Sequence, residues 1–183
     1  MKKKSSNSLT GVLSGSIYFL VILIIVLIVV TFIGQRVKVI GASMSPTLED
    51  ADGIIVDKIS YRIGEPERFD IIVFPYKYEP NTTYIKRVIG LPGETVYIDN
   101  EGKIYINDTV LEEGYGNEVI KNPGMAYKKI ELGEDEYFVM GDNRNNSSDS
   151  RDPNVGNIKR SEIIGKAFLR IYPFDKMGVI KHR

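Results

Sequence analysis

The sequence predicts a mainly β chain: an antiparallel β-sheet domain with a small β-hairpin subdomain, preceded by one N-terminal transmembrane helix. Three observations carry this reading. Ile17 to Ile33 is a long apolar run without a charge. Beyond it, short apolar or alternating segments recur about every ten residues, with Gly, Pro, Asn and Asp between them. No second stretch has the apolar periodicity of a helix.

Lys2, Lys3 and Lys4 and a Ser-rich spacer precede the apolar run. At ~1.5 Å per residue the run makes a helix about 25 Å long, and Gly15, Ser16 and Gly34 bring it close to a ~30 Å hydrocarbon core. In lipid each backbone amide must find a partner within its own segment, so these β-branched residues are driven into a helix. Tyr18 and Phe32 fall near the two interfaces. A cleavable export signal would have a core of ~7–15 residues followed by small side chains, and Phe32-Ile33-Gly34-Gln35-Arg36 does not supply them. The expectation is therefore an uncleaved single-pass anchor in the cell membrane. Residues 1–14 are cytoplasmic, held there by the lysines against the weaker pull of Arg36 and Lys38, 15–34 span the bilayer, and 35–183 form the extracytoplasmic domain. Nine residues separate the run from Ser43; they reach at most about 30 Å, so Ser43 works close to the membrane.

Val37–Ile40 alternates and leads into the turn Gly41-Ala42-Ser43-Met44-Ser45-Pro46-Thr47-Leu48. Gly53–Lys58 reads as the next strand, and Asp70–Phe74 as a continuous apolar strand stopped by Pro75. Thr83–Gly90 is a strand with Lys86 at its middle; Tyr84, Lys86 and Val88 share one face, and Ile85, Arg87 and Ile89 the other. Thr95–Asp99 and Lys103–Asn107 form a hairpin across Asn100-Glu101-Gly102, within a reduced second β region at residues 95–130. Leu111–Gly124 is polar and Gly-rich and reads as a surface excursion. Tyr127–Glu131, Glu136–Met140 and Gly165–Tyr172 are further strands, and Gly141–Arg151 is a polar loop.

Twenty-four basic and 24 acidic residues leave no net charge, so no basic field argues for a nucleic-acid partner. Without cysteine there are no disulfides, thiolate nucleophiles or Cys-held metals. The single histidine, His182, is next to the last residue. A fraying end is a poor place for a catalytic base, which disfavours a Ser-His-Asp triad and a His-rich metal site. No metal or other cofactor is expected.

A small-residue turn carrying a serine lets a backbone approach a reacting carbonyl. With histidine set aside, the base must be Lys, Asp or Glu. Lysine serves only as the neutral amine, so its pKa of about 10.4 must be depressed by burial. Lys86, between Ile85 and Val88 of an apolar strand, is the lysine placed to be desolvated. In the polar loop Asp142, Arg144, Asp149 and Arg151 alternate in sign, and with the Asn and Ser residues around them suit a self-satisfied ion-pair loop supporting a site.

Ser43-Met44-Ser45-Pro46-Thr47-Leu48, then Lys86-Arg87-Val88-Ile89-Gly90-Leu91-Pro92-Gly93-Glu94, then Gly141-Asp142-Asn143-Arg144-Asn145-Asn146-Ser147-Ser148-Asp149-Ser150-Arg151 resemble the successive boxes of bacterial type I signal peptidases. Asp70–Phe74 is similar to the box between the first two, and the resemblance runs from about residue 15 to 173. It implies a membrane-anchored Ser–Lys endopeptidase with an antiparallel β catalytic core. Ser43 would be the nucleophile, its backbone N–H the oxyanion donor, and Lys86 the general base. Ser147 would orient the lysine, Arg87, Asp142, Asp149 and Arg151 would form a supporting ion-pair shell, and Met44 would line the site. The implied partners are secretory preproteins with small residues at −1 and −3, and the lipid bilayer; the secretion translocon is a further candidate.

Three positions depart from the family pattern. Gly41 stands where some members carry a second oxyanion hydroxyl, Phe69 where glycine is common, and Asn145 where aspartate is common. The alternative outside enzymology is a single-pass membrane protein with a non-catalytic β binding domain. A self-cleaving Ser–Lys regulator would share the dyad but carry a DNA-binding segment in place of the anchor.

Overall fold

The computed structural model describes residues 14–24, 34–116 and 118–182. Residues 14–24 are helical, and every apolar side chain from Ile17 to Ile24 is exposed. The rest of the expected membrane segment up to Ile33, and residues 1–13 of the expected cytoplasmic segment, lie outside the described residues. Among the described residues no helix is long and apolar enough to cross a membrane.

Residues 36–183 form a compact unit of their own. The strands of the described residues are β1 (Gly34–Lys38), β2 (Gly53–Asp57), β3 (Ile71–Pro75), β4 (Thr83–Gly90), β5 (Thr95–Ile98), β6 (Ile104–Ile106), β7 (Thr109–Val110), β8 (Ile130–Glu131), β9 (Glu136–Met140), β10 (Ile158–Lys159), β11 (Gly165–Tyr172) and β12 (Gly178–Val179). One sheet runs β1-β2-β11-β3-β4-β9-β10, with β12 also on β11; a second runs β7-β6-β5-β8. Every pair whose register is resolved is antiparallel. The described residues are therefore mainly antiparallel β, with one short helical turn at Ser60–Ile63 and three 3₁₀ turns among them besides the helix over residues 14–24.

The bounds of β4, β9 and β11 match the apolar patterns. The first strand is shifted: β1 ends at Lys38, and Val39 continues by exchanging backbone bonds with Asp52 and Ala51. Pro75 lies inside β3, opposite Thr83 at the strand end, where a missing N–H does no harm. The expected strand at Tyr127–Glu131 shrinks to β8, because Gly124–Tyr127 winds into a 3₁₀ turn. β7, β10 and β12 are two residues each, too short to leave a period-2 pattern.

β4 is central because both of its faces are buried. Ile85 enters a core with Met44, Leu48, Ile54, Val56, Ile71, Val73 and Ile180. Val88 joins Ile72, Phe74 and Val139. Ile89 joins Phe138 and Met140 and the small sheet's Val96, Ile98, Ile104 and Ile106. A lysine and an arginine in the middle of such a strand are carried inside with it. Met44 and Leu48, four residues apart and both buried, pin the Ser43 turn to the first core.

Candidate active site

Lys86 Nζ lies 2.8 Å from Ser43 Oγ. The lysine is 3% exposed and also donates to Ile85 O across 3.1 Å. The Tyr84 ring centroid is 5.0 Å from the same nitrogen. Burial pushes the ammonium pKa down from 10.5 to about 8, while the carboxylates of Asp149 and Asp142 pull it up. A charged amine loses its hydration here, so the neutral form that can accept a proton is brought within reach of ordinary pH.

The Ser43 turn is clipped to the polar loop. Asn143 N–H donates to Ser43 O at 3.0 Å, and Asn143 Nδ2 donates to Ala42 O at 3.1 Å. Gly141 lies so close that a Cβ there would collide with Ser43 O and the Ser147 side chain, so only glycine lets the loop approach. Ser147 thus sits at the site. Its hydroxyl, though buried, meets no hydrogen-bond partner among the described residues. Gly41 has φ +85° and donates its N–H to Asp50.

Beside the pair lies a buried ionic layer. Arg87 grips Asp142 with two bonds, Nε to Oδ1 at 2.8 Å and Nη2 to Oδ2 at 2.7 Å, and both side chains are fully buried. Thr47 Oγ1 donates to Asp142 Oδ2 at 2.5 Å, tying the Ser43 turn to this pair. Asp149 takes two bonds from Arg151, both 2.8 Å, and one from Gly141 N–H at 3.0 Å. Only the Asp149–Arg151 pair closes within the loop. Asp142 is matched from β4, and Arg144 by Glu113 of the 111–124 stretch, so the loop is not satisfied by itself.

The 111–124 stretch, expected as a surface excursion, is instead strapped across this layer. Besides Glu113–Arg144, Asn145 Nδ2 donates to Glu118 Oε2 and Val119 O, and Asn145 Oδ1 accepts Lys121 N–H. The Tyr115 ring centroid stands 3.7 Å from Arg87 Cζ. Its hydroxyl donates to His182 O at 2.9 Å. Leu111–Tyr115 has no period, so nothing local in the sequence says what this stretch faces.

His182 is a second correction, because the segment through residue 182 is packed into the fold. Its side chain is 13% exposed, Nδ1 accepts Ile71 N–H at 3.0 Å, and Ile180 is buried in the first core. Burial, helped by the nearby Lys166 charge, pushes the imidazole pKa from 6.5 to about 4 against the pull of Asp70.

Phe69 has φ +73°, the left-handed region that glycine occupies freely, which accounts for glycine being common there. Its carbonyl accepts from Arg87 Nη1 at 2.8 Å and its ring packs on Tyr115 at 5.0 Å. Met44 is buried yet lines an open cleft of about 590 Å³, together with Ser43, Lys86, Ile40, Tyr84, Thr83 and Ser148. Lys38 and Glu79 also line it. A half-exposed hydroxyl facing a buried amine in such a cleft can attack a carbonyl carbon and hand its proton to the amine.

The family model for signal peptidase, peptidase S26, matches residues 13–172. A probable signal peptidase I-2 from Synechocystis sp. is 37% identical over 155 residues, covering 82% of this chain and 68% of that one. Signal peptidase I of Leptolyngbya laminosa is 41% identical over 155 residues, covering 81% and 73%. Signal peptidase I U of Bacillus subtilis is 41% identical over 147 residues, covering 77% of each. The chain belongs to the signal peptidase family, peptidase S26, and is a serine endopeptidase.

Proposed function

We propose that this enzyme removes signal peptides from exported preproteins at the outer membrane surface, by a Ser43–Lys86 dyad and an acyl-enzyme. The observation that carries the reading is the 2.8 Å approach of a buried, pKa-depressed Lys86 to Ser43 Oγ.

Neutral Lys86 takes the Ser43 proton as Oγ attacks the scissile carbonyl carbon. The oxyanion is held by the Ser43 backbone N–H. As the C–N bond breaks, Lys86 passes the proton to the leaving amine, leaving Ser43 esterified. Water then attacks the ester, giving one proton to Lys86, which returns it to Ser43 Oγ as the acid leaves. Ser147 supplies the hydroxyl that orients the lysine amine when substrate is bound; in the free enzyme Nζ is held by Ser43 Oγ and Ile85 O, and Ser147 Oγ has no partner among the described residues. Arg87, Asp142, Asp149 and Arg151 form the shell that fixes the strand and the loop, and Met44 lines the cleft.

The substrate lies in the cleft with small residues at −1 and −3. Residues 1–14 are cytoplasmic, 15–34 span the bilayer and 35–183 form the extracytoplasmic domain, with residues about 95–130 as its smaller β region. A helix that exposes every apolar side chain from Ile17 to Ile24 calls for lipid around it, which supports the anchor. The secretion translocon is the partner that would deliver the substrate.

The test is cleavage of a peptide with Ala-X-Ala before the scissile bond by the purified full chain. Ser43→Ala and Lys86→Ala should each abolish it, a loss of about 10³-fold or more. Undiminished cleavage by Lys86→Ala would overturn the mechanism, and efficient cutting after Leu or Phe at −1 would overturn the specificity.

A further inference from the structure

The Arg87 guanidinium is enclosed by groups from distant parts of the chain. Asp142 and Thr47 face it from the loop and the Ser43 turn, and Phe69 O accepts Nη1 from the approach to β3. The remaining cover comes from elsewhere. Tyr115 lays its ring 3.7 Å from Cζ, and His182 O stands 3.5 Å from Nη1. The Tyr115 hydroxyl donates to that same carbonyl at 2.9 Å, so the two segments close as one lid. The His182 imidazole anchors the carbonyl by accepting Ile71 N–H at 3.0 Å.

We propose that Tyr115 and His182 are positioning residues that hold Arg87 on Asp142 and thereby set the charge felt by the Ser43–Lys86 pair. The proposal rests on the Ser–Lys reading. Lys86 works only when neutral, and the carboxylates of Asp142 and Asp149 both favour its ammonium form. Arg151 offsets Asp149 and Arg87 offsets Asp142. Arg87 is fully buried behind this cover, so the protein itself must supply its partners. The aromatic face and the carbonyl give this desolvated cation partners that the carboxylate alone does not supply. With the lid removed, water reaches the guanidinium, its grip on Asp142 loosens, and the carboxylate field at Lys86 is less completely cancelled. The lysine then keeps its proton to higher pH.

Other groups face these residues and stay constant in the comparison. Around Lys86 they are the Tyr84 ring and the Ser43 hydroxyl, with Lys38 and Glu79 in the shared cleft. Around His182 they are Asp70, 3.9 Å away and itself bonded to Lys166 and Tyr61, and Arg87. The depressed imidazole pKa of about 4 keeps His182 neutral, and its Nδ1 free to accept, across the working range.

The experiment is the pH profile of kcat/KM for the Ala-X-Ala peptide, using the full chain and its variants, with melting temperatures recorded alongside. Tyr115→Leu and His182→Ala should move the acidic limb upward by about 0.5 to 1 pH unit, with KM at limiting pH changed less than about twofold. Tyr115→Phe keeps the ring and should move it less. His182→Asn keeps an acceptor for Ile71 N–H and should restore the limb. Should Tyr115→Leu fail to fold, His182→Ala decides. Limbs that stay in place in folded variants, whatever the loss of rate, overturn the proposal. A wild-type chain that cleaves no such peptide overturns the Ser–Lys reading instead.

Discussion

Arg87 and Lys86 are adjacent in sequence, yet one is locked onto Asp142 as a permanent cation while the other stands against Ser43 with its charge suppressed by burial. Alternation along β4 sends the two side chains to opposite faces, so the strand separates a structural charge from a chemical one.

The first prediction concerns Lys86. Burial holds its pKa at about 8 in the folded chain, below the ordinary lysine value of 10.5. Activity needs the neutral amine, so kcat/KM should rise with pH to a midpoint near 8, and a flat profile from pH 6 to 9 would contradict this. The unfolded chain binds more protons than the folded one between these two values, so stability should rise with pH across that window. Lys86→Met should remove that rise, measured as the pH dependence of the melting temperature.

Gly41→Ser tests the oxyanion hole. A Cβ at Gly41 meets no atom within 4 Å, so space is not the obstacle. The φ of +85° is, because a side chain there costs about 1 kcal/mol. The variant should lower the unfolding free energy by about that amount and give no rise in kcat, with chemical denaturation and peptide cleavage as the two measurements.

Phe69 separates strain from packing. Phe69→Ala and Phe69→Gly both lose the ring contact with Tyr115, but only alanine keeps the left-handed penalty at φ +73°. The glycine variant should be the more stable of the two by about 1 kcal/mol in denaturant titrations.

Asn145→Asp tests the strap. The amide donates to Glu118 and Val119, and a carboxylate would lose both bonds and face Glu118 with like charge. Stability should fall by about 1 kcal/mol, and added salt should recover part of it by screening. A variant as stable as the parent at low salt would show that the strap is not held there.

Much of this was written in local patterns. Ile17–Ile33 carries no charge, and the alternations at Thr83–Gly90, Glu136–Met140 and Gly165–Tyr172 give their strands to the residue. Composition removed cysteine and left one histidine, and the ordered boxes around Ser43, Lys86 and Asp142 implied the family. These are properties of neighbouring residues, which periodicity and spacing express directly.

Tertiary structure decided which distant groups meet. Tyr115 lies in a stretch with no period, and its place over Arg87 depends on the Glu113–Arg144 and Asn145–Glu118 links. His182, whose position next to the chain end suggested fraying, is held by Ile71 N–H and by the burial of Ile180. The partners of Asp142 and Arg144 come from β4 and residue 113 rather than from their own loop. A desolvated charge must be matched by whichever opposite group the packed core brings within about 3 Å, and only the closed fold determines which group that is.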